Sequence, residues 1–159
     1  MIDLTTLALL LGRLSRLNEA AMAEVCADHG ITPAETRVMS LLVHRPDRSA
    51  SPSDLADFVV QTSGGLTATL RRLEADGLVE RVADPSDGRG RLVVLTDAGE
   101  SVHSRVVEAI VARVARVVDG LDRAVVGDQI RALVDAFERD GGLPSSAGFR
   151  ADAPLTTHR

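Results

Sequence analysis

Hydroxyl and arginine side chains are concentrated between residues 51 and 96, where they could bind phosphate groups and the edges of bases. The free N–H groups at the start of a helix favour a phosphate, and hydroxyls there supply further donors. An arginine can also donate two hydrogen bonds to guanine. The residues expected to form such an interface are Ser51, Ser53, Thr62, Ser63, Gly64, Thr67, Ala68, Arg71, Arg72, Asp87, Arg89 and Arg91.

The pattern of residues 51–96 predicts a short helix, a turn, a second helix, a strand, a tight loop and another strand. Ser51 begins a capping sequence that opens the first helix. The second helix is expected to run from Thr62 or Ser63 to about Asp76. Leucines at helical spacing mark its inner face, and the opposite face has small and polar residues. A helix presented in this way has the right size for the major groove of DNA.

The two strands are predicted at residues 78–84 and 91–96, which alternate apolar and polar side chains. The loop between them has turn-forming residues and is expected to carry Arg89 at its tip, between Gly88 and Gly90. An unhindered arginine on a narrow ribbon could enter a minor groove. Helix, turn, helix and hairpin together describe a winged helix-turn-helix.

Long helical patterns flank this stretch. Apolar residues at three- and four-residue steps predict a helix over 3–29, and a capping box at Thr32 opens another that ends near His44. Residues 45–50 are expected to form a polar loop. A valine stripe follows Thr96 up to a break at Gly120, and a last helix is predicted at about 122–139.

The fold class is therefore mainly α with a small β-hairpin wing. Residues 1–139 are expected to form one unit, with a winged helix-turn-helix lobe at about 32–96. The helices at 3–29 and 97–139 form a helical dimerisation region, because their apolar ends need a cover that a second subunit can supply. The Gly-, Pro- and Ser-rich residues 140–159 are expected to form a mobile tail.

Composition narrows the function classes. Net charge is -5 and the pI about 5.3, which alone argues mildly against nucleic acid. Residues 45–96 contain seven arginines and eight acids, so the placement of charge must matter more than its sum. Aromatic residues make up 2%, which disfavours base stacking. One cysteine fits a reducing compartment, and no stretch resembles a membrane span or a signal peptide, so a cytoplasmic protein is expected.

At these residues the sequence resembles the MarR family of bacterial transcription regulators, from about residue 5 to residue 139. GLVERVADPSDGRGRLVVLTDAGE is similar to the wing of that family, and TSGGLTATLRRLEADGLVER to its recognition helix. Members with a TSGG-type start often have basic residues where this chain has Ala68 and Thr69. This difference concerns affinity and base preference, and it predicts a shallower salt dependence than in a more basic relative.

The resemblance implies a homodimer of winged-helix lobes bound to double-stranded DNA. Each recognition helix would enter a major groove and each wing arginine, here Arg89, a minor groove. Two lobes would then read a pseudo-palindrome about one helical turn, roughly 34–36 Å, apart. Such proteins are usually repressors of nearby genes, relieved by a small phenolic or aromatic effector.

The resemblance places an effector cleft between the dimerisation helices and the DNA-binding lobe. An anionic ligand would pair with an arginine, and apolar neighbours would hold its ring. Ordinary surface ion pairs are the alternative for each arginine taken singly. The candidate lining residues are Arg13, Arg16, Met39, His44 and His103.

Other functions remain as alternatives. A winged helix can bind only protein, as in an antirepressor. Cys26 invites a redox-sensor reading, but a small buried thiol is the plainer one, since the chain has no tyrosine to support sensing. The four histidines are scattered and predict no metal site. No phosphate loop or nucleophile–base set is found, so neither an enzyme nor a cofactor is expected.

Overall fold

The computed structural model describes residues 2–59, 63–85 and 87–141. Six α-helices and one small sheet make up this part of the chain, which confirms the predicted fold class. In chain order the elements are α1 (Leu4–Asp28), α2 (Pro33–Val43), β1 (Ser49–Ala50), α3 (Pro52–Val59), α4 (Ser63–Ala75), β2 (Val79–Asp84), β3 (Asp87–Leu95), α5 (Asp97–Val117) and α6 (Arg123–Gly141).

Side-chain caps fix the starts of the helices. The Thr32 hydroxyl accepts the Glu35 N–H at 3.3 Å, and the Glu35 carboxylate accepts the Thr32 N–H at 2.7 Å, so the predicted capping box is present. Thr96 accepts the Gly99 N–H at 3.0 Å and opens α5 as expected. Each cap satisfies a backbone donor that the helix itself cannot use.

The hydrophobic core lies inside the lobe, where α2 packs against α3, α4 and the first half of α5. Its fully buried members include Val38, Met39 and Leu42 of α2, Leu55 of α3 and Leu73 of α4. All are aliphatic or methionine, as the scarcity of aromatic residues requires. This core fixes the orientation of α4 relative to α2.

The sheet has the order β1-β3-β2, and all its pairs are antiparallel. The polar loop expected at residues 45–50 is partly wrong, because Ser49 pairs with Val94 and Ala50 with Val93. Arg48 precedes this short strand with a φ of 51°. Its guanidinium lies 2.8 Å from Glu100 of α5, which ties β1 to the start of that helix.

The hairpin also differs from the prediction. β3 begins at Asp87, which pairs with Asp84, while the next pair along joins Arg91 to Ala83. In this register residues 88–90 of β3 have no partner in β2, so they form a bulge. Arg89 is therefore the middle residue of a bulge and not the tip of a loop. Its side chain lies outside the described residues.

The dimerisation helices leave the lobe at one end. The C-terminal part of α1 is buried at Val25 and Cys26, and α5 is buried at Val106. Away from these points apolar side chains stand in solvent in the single chain: Leu4 is 83% exposed and Val117 65%. The burial of α1 and α5 therefore changes along their length.

The C-terminal end of the unit needs one correction. α6 extends to Gly141, two residues beyond the predicted end of the helix. The Asp122 carboxylate accepts the N–H groups of Ala124 and Val125, at 3.0 and 3.1 Å, and so caps this helix. The tail predicted for residues 140–159 falls, from residue 142 on, outside the described residues. None of the described helices is long and apolar enough to cross a membrane.

Candidate nucleic-acid interface

Helix α4 has one buried and one exposed face, as its sequence predicts. Leu66 and Leu70 point into the core with 4% and 3% of their surface exposed, and Leu73 is fully buried. The opposite face carries the predicted contact residues Gly64, Thr67, Ala68 and Arg71, and all four are exposed. A Cβ added at Gly64 would meet no atom within 4 Å, so this end of the face is open to a ligand.

The two positions that depart from the family pattern lie on different sides of α4. Ala68 is exposed, whereas Thr69 is 9% exposed. The Thr69 hydroxyl donates to the Gly65 carbonyl at 3.0 Å. Only the side chain at position 68 therefore bears on the surface that a groove would meet.

The start of α3 supplies hydroxyls beside α4. The Ser51 hydroxyl accepts the Asp54 N–H at 3.1 Å, which confirms its capping role, and Ser53 is exposed in the first turn. The predicted contact at Thr62 lies outside the described residues. So does the side chain of Ser63, the first residue of α4.

Ion pairs divide the arginines of the lobe into two groups. Four of them are engaged within the chain. They are Arg45 with Asp54 at 4.0 Å, Arg48 with Glu100 at 2.8 Å, Arg72 with Glu35 at 3.1 Å and Arg81 with Glu74 at 3.3 Å. Arg71 and Arg91 are exposed and form no ion pair among the described residues. The two adjacent arginines of α4 are thus in different states, which their shared residue type does not reveal.

The wing presents Arg91 and Asp87 at its surface. Arg91 lies opposite Ala83, the last regular pair before the bulge. Asp87 is exposed and pairs with Asp84 across the turn. A Cβ at Gly90 would lie 3.0 Å from the Asp84 Cβ and 3.2 Å from the Asp87 Cβ, so the bulge needs a glycine there. Arg89 is held between this glycine and Gly88.

Two of the five effector candidates meet at Ser40. The Ser40 hydroxyl lies 2.9 Å from Nε2 of His103, and its carbonyl accepts a hydrogen bond from Nδ1 of His44 at 2.6 Å. The pKa of His103 is lowered from 6.5 to about 4, mainly because burial disfavours the charged ring and further because His44 is near. His103 is therefore neutral at physiological pH. Ser40 was not foreseen, since a lone serine within a helix gives no signal.

The other effector candidates do not join this group. Met39 is fully buried in the core, so the expectation that it lines a ligand cleft is wrong for this structure: its side chain fills the space between helices. Arg13 and Arg16 are exposed on the part of α1 that leaves the lobe. The two arginines are thus presented by the dimerisation region.

Cys26 is 1% exposed, and its Sγ lies 3.3 Å from the Thr36 hydroxyl. A buried thiol of this kind behaves as a small apolar residue. Among the described residues, no three His, Cys, Asp or Glu side chains are grouped so that they could hold a metal ion.

An exposed helix of small and cationic residues beside a hairpin, both mounted on a helical core, is the geometry of a winged-helix DNA reader. Comparisons with known proteins agree. The MarR family model matches residues 29–90. The uncharacterised HTH-type transcriptional regulator YdgJ of Bacillus subtilis is 30% identical over 130 residues, which span 82% of this chain and 76% of that protein.

The homoprotocatechuate degradative operon repressor of Escherichia coli is 33% identical over 66% of this chain and 68% of its own length. Among solved structures, Sco3205 of Streptomyces coelicolor, a MarR family regulator in complex with DNA, is 24% identical, with a TM-score of 0.75 and coverage of 92% of both chains. Two Bacillus subtilis relatives match over shorter stretches, which span 60% and 48% of their lengths.

The chain belongs to the MarR family of transcriptional regulators. The resemblance noted from its recognition helix and wing is confirmed.

Proposed function

We propose that the protein binds a pseudo-palindromic operator as a homodimer and represses the genes beside it. The observation that carries this proposal is the exposed face of α4, where Gly64, Thr67 and Ala68 allow close approach and Arg71 has no acid partner among the described residues. Arginine is the side chain that most often reads guanine in the major groove. Arg91 and the bulge around Arg89 supply the corresponding cations of the wing.

The apolar surface of the dimerisation helices supports the homodimer. Within the described chain, large apolar side chains are left exposed along α1, the end of α5 and α6. They include Leu9 at 69%, Leu14 at 55%, Val125 at 56% and Phe137 at 58%. An apolar surface of this extent on several helices is characteristic of a protein interface. Its continuity with the lobe core at Val25 and Ile110 favours a second copy of this chain as its cover.

Repression and release by a small molecule are supported by the names of related proteins. One relative is a repressor of the homoprotocatechuate degradative operon, and another is the regulator MhqR. A structural neighbour, CouR of Rhodococcus jostii, is bound to p-coumaroyl-CoA. By extension we propose an aromatic, anionic effector for this chain, held by Arg13 or Arg16 near His44 and His103. The protein then acts without catalysis or a cofactor and works in the cytoplasm.

Operator binding is tested with promoter DNA taken from beside the gene, by footprinting and then by fluorescence anisotropy. We expect a protected palindrome with half-sites about one helical turn, roughly 34–36 Å, apart. Arg71→Ala combined with Arg89→Ala should weaken binding by roughly 100-fold or more, since each base or groove contact contributes about 1–3 kcal/mol. Arg105→Ala is the matched control, because this arginine is exposed on α5 and donates to Ser101.

The alternative of a protein-binding module makes the opposite prediction. A folded, dimeric double variant that binds the promoter as tightly as the wild type would refute DNA reading by this face. For the effector, salicylate-like carboxylates are titrated into the complex, with Arg13→Ala and Arg16→Ala as comparison variants. Failure of millimolar ligand to release the DNA would count against the proposed aromatic effector, while leaving operator binding in place.

A further inference from the structure

We propose that Arg72 positions the recognition helix through Glu35 and does not itself contact DNA. This inference rests on the proposed operator binding by α4. It replaces the sequence-based expectation that Arg72 bonds guanine or phosphate. Arg71, its neighbour on the same helix, keeps the direct role.

The geometry around Glu35 supports this assignment. The side chain of Glu35 is 2% exposed although it carries a carboxylate. One oxygen, Oε2, accepts the Thr32 N–H at 2.7 Å and the Thr32 hydroxyl at 2.9 Å within the capping box. The other oxygen, Oε1, lies 3.1 Å from Nε of Arg72 and has no other polar partner among the described residues.

A buried carboxylate oxygen is costly unless a donor or a cation meets it. Arg72 is the group that meets Oε1, and it comes from a different helix. If Arg72 swung outward to reach a phosphate, it would leave a buried charge without its counterpart, which is strongly unfavourable. The ion pair therefore holds the Arg72 side chain against α2, even though 58% of that side chain is exposed.

The same ion pair fixes α4. Glu35 is itself held at the first turn of α2 by Thr32, so the carboxylate is a rigid anchor. Two residues after Arg72, Glu74 pairs with Arg81 of β2 at 3.3 Å. The C-terminal half of the recognition helix is thus tied to α2 on one side and to the wing on the other. A small rotation of α4 would displace Thr67 and Arg71, which lie on its exposed face.

A double-mutant cycle tests the inference. Operator affinity is measured for the wild type, Arg72→Ala, Glu35→Gln and the double variant, each over a range of salt concentrations at a temperature where all are folded dimers. We expect each single variant to weaken binding by about threefold to thirtyfold, and the double variant to be no weaker than either, since both changes remove one interaction.

The salt dependence distinguishes positioning from contact. A lost phosphate contact lowers the slope of log K against log salt by about 0.9 for each contact. The slope should be unchanged in Arg72→Ala, whereas Arg71→Ala, the matched control, should lower it if Arg71 meets a phosphate or relax the preference for one base pair if it meets guanine. Arg72→Lys should recover part of the affinity, because an ammonium group can still pair with Glu35.

Additive losses in the cycle, a lower slope in Arg72→Ala, or no loss of affinity in that variant would each overturn the inference. If Glu35→Gln does not fold, the slope of Arg72→Ala and the recovery in Arg72→Lys decide the matter without it. Failure of the proposed function would look different, because the wild type would then not bind the operator, or Arg71→Ala with Arg89→Ala would bind it normally.

Discussion

Acidification should destabilise this protein through His103. The ring of this histidine is 4% exposed, bonded to Ser40 of α2, and its pKa is lowered from 6.5 to about 4, chiefly by burial. In the unfolded chain the same ring takes up a proton near pH 6.5. Between these two values the unfolded state binds more protons than the folded state, so stability falls as the pH falls.

The magnitude follows from the two pKa values. The contribution of neutral His103 is fully present above pH 6.5 and decreases below it until the folded-state pKa is reached. Relative to pH 8, the loss for each subunit is about 1.4 kcal/mol at pH 5.5 and about 2 kcal/mol at pH 5. Because a loss of 1 kcal/mol lowers Tm by about 2–4 °C in a protein of this size, the shift at pH 5.5 is about 3–6 °C.

The assay is urea unfolding from pH 8 to pH 5 at one fixed protein concentration, because dimerisation makes stability depend on concentration. His103→Gln cannot take up a proton at this position, and its amide can still bond Ser40. Its stability should therefore fall less steeply with pH than that of the wild type. His29→Gln removes a histidine elsewhere and should keep the wild-type slope. Parallel curves for the wild type and His103→Gln would refute the reasoning.

Two further predictions concern packing and assembly. Gly99→Ala should destabilise the protein by about 1–3 kcal/mol in urea unfolding, because the added Cβ would overlap the Leu78 carbonyl oxygen and lie 2.7 Å from Leu95; Gly64→Ala, where a Cβ meets no atom within 4 Å, is the control and should cost nothing in stability. Leu14→Glu should shift the protein from dimer to monomer in analytical ultracentrifugation, because this exposed leucine lies in the apolar part of α1. An unchanged dimer, with Ser15→Glu as control, would place the interface elsewhere.

The overall fold could be predicted from the sequence because its signals are local. Capping residues such as Thr32 and Thr96 mark helix starts, and Leu66, Leu70 and Leu73 reveal the inner face of α4 by their spacing alone. Elements that depend on distant partners escaped. The two-residue strand β1 exists because β3 lies beside it, and no pattern in Ser49-Ala50 encodes that pairing.

The candidate site was predictable as a set of residues but not as a set of roles. Glu35 was foreseen as a member of a capping box, yet the contact of its second oxygen with Arg72 joins residues 37 positions apart in the sequence. Arg89 was placed at a loop tip because glycines surround it, whereas the register of the hairpin puts it in a bulge. Met39 looked accessible on a helical pattern that could not show how completely α2 is surrounded.

These differences also explain why the net charge of the lobe says little about its function. Residues 45–96 contain seven arginines and eight acids, which suggests a surface without attraction for phosphate. The ion pairs of Arg45, Arg48, Arg72 and Arg81 show that four of those arginines serve the fold. Of the remaining three, Arg71 lies on the exposed face of α4, and Arg89 and Arg91 lie on the wing strand. Because charges farther apart than about 10 Å are largely screened at 0.1 M salt, these few positions decide what the surface attracts, and the acids elsewhere do not.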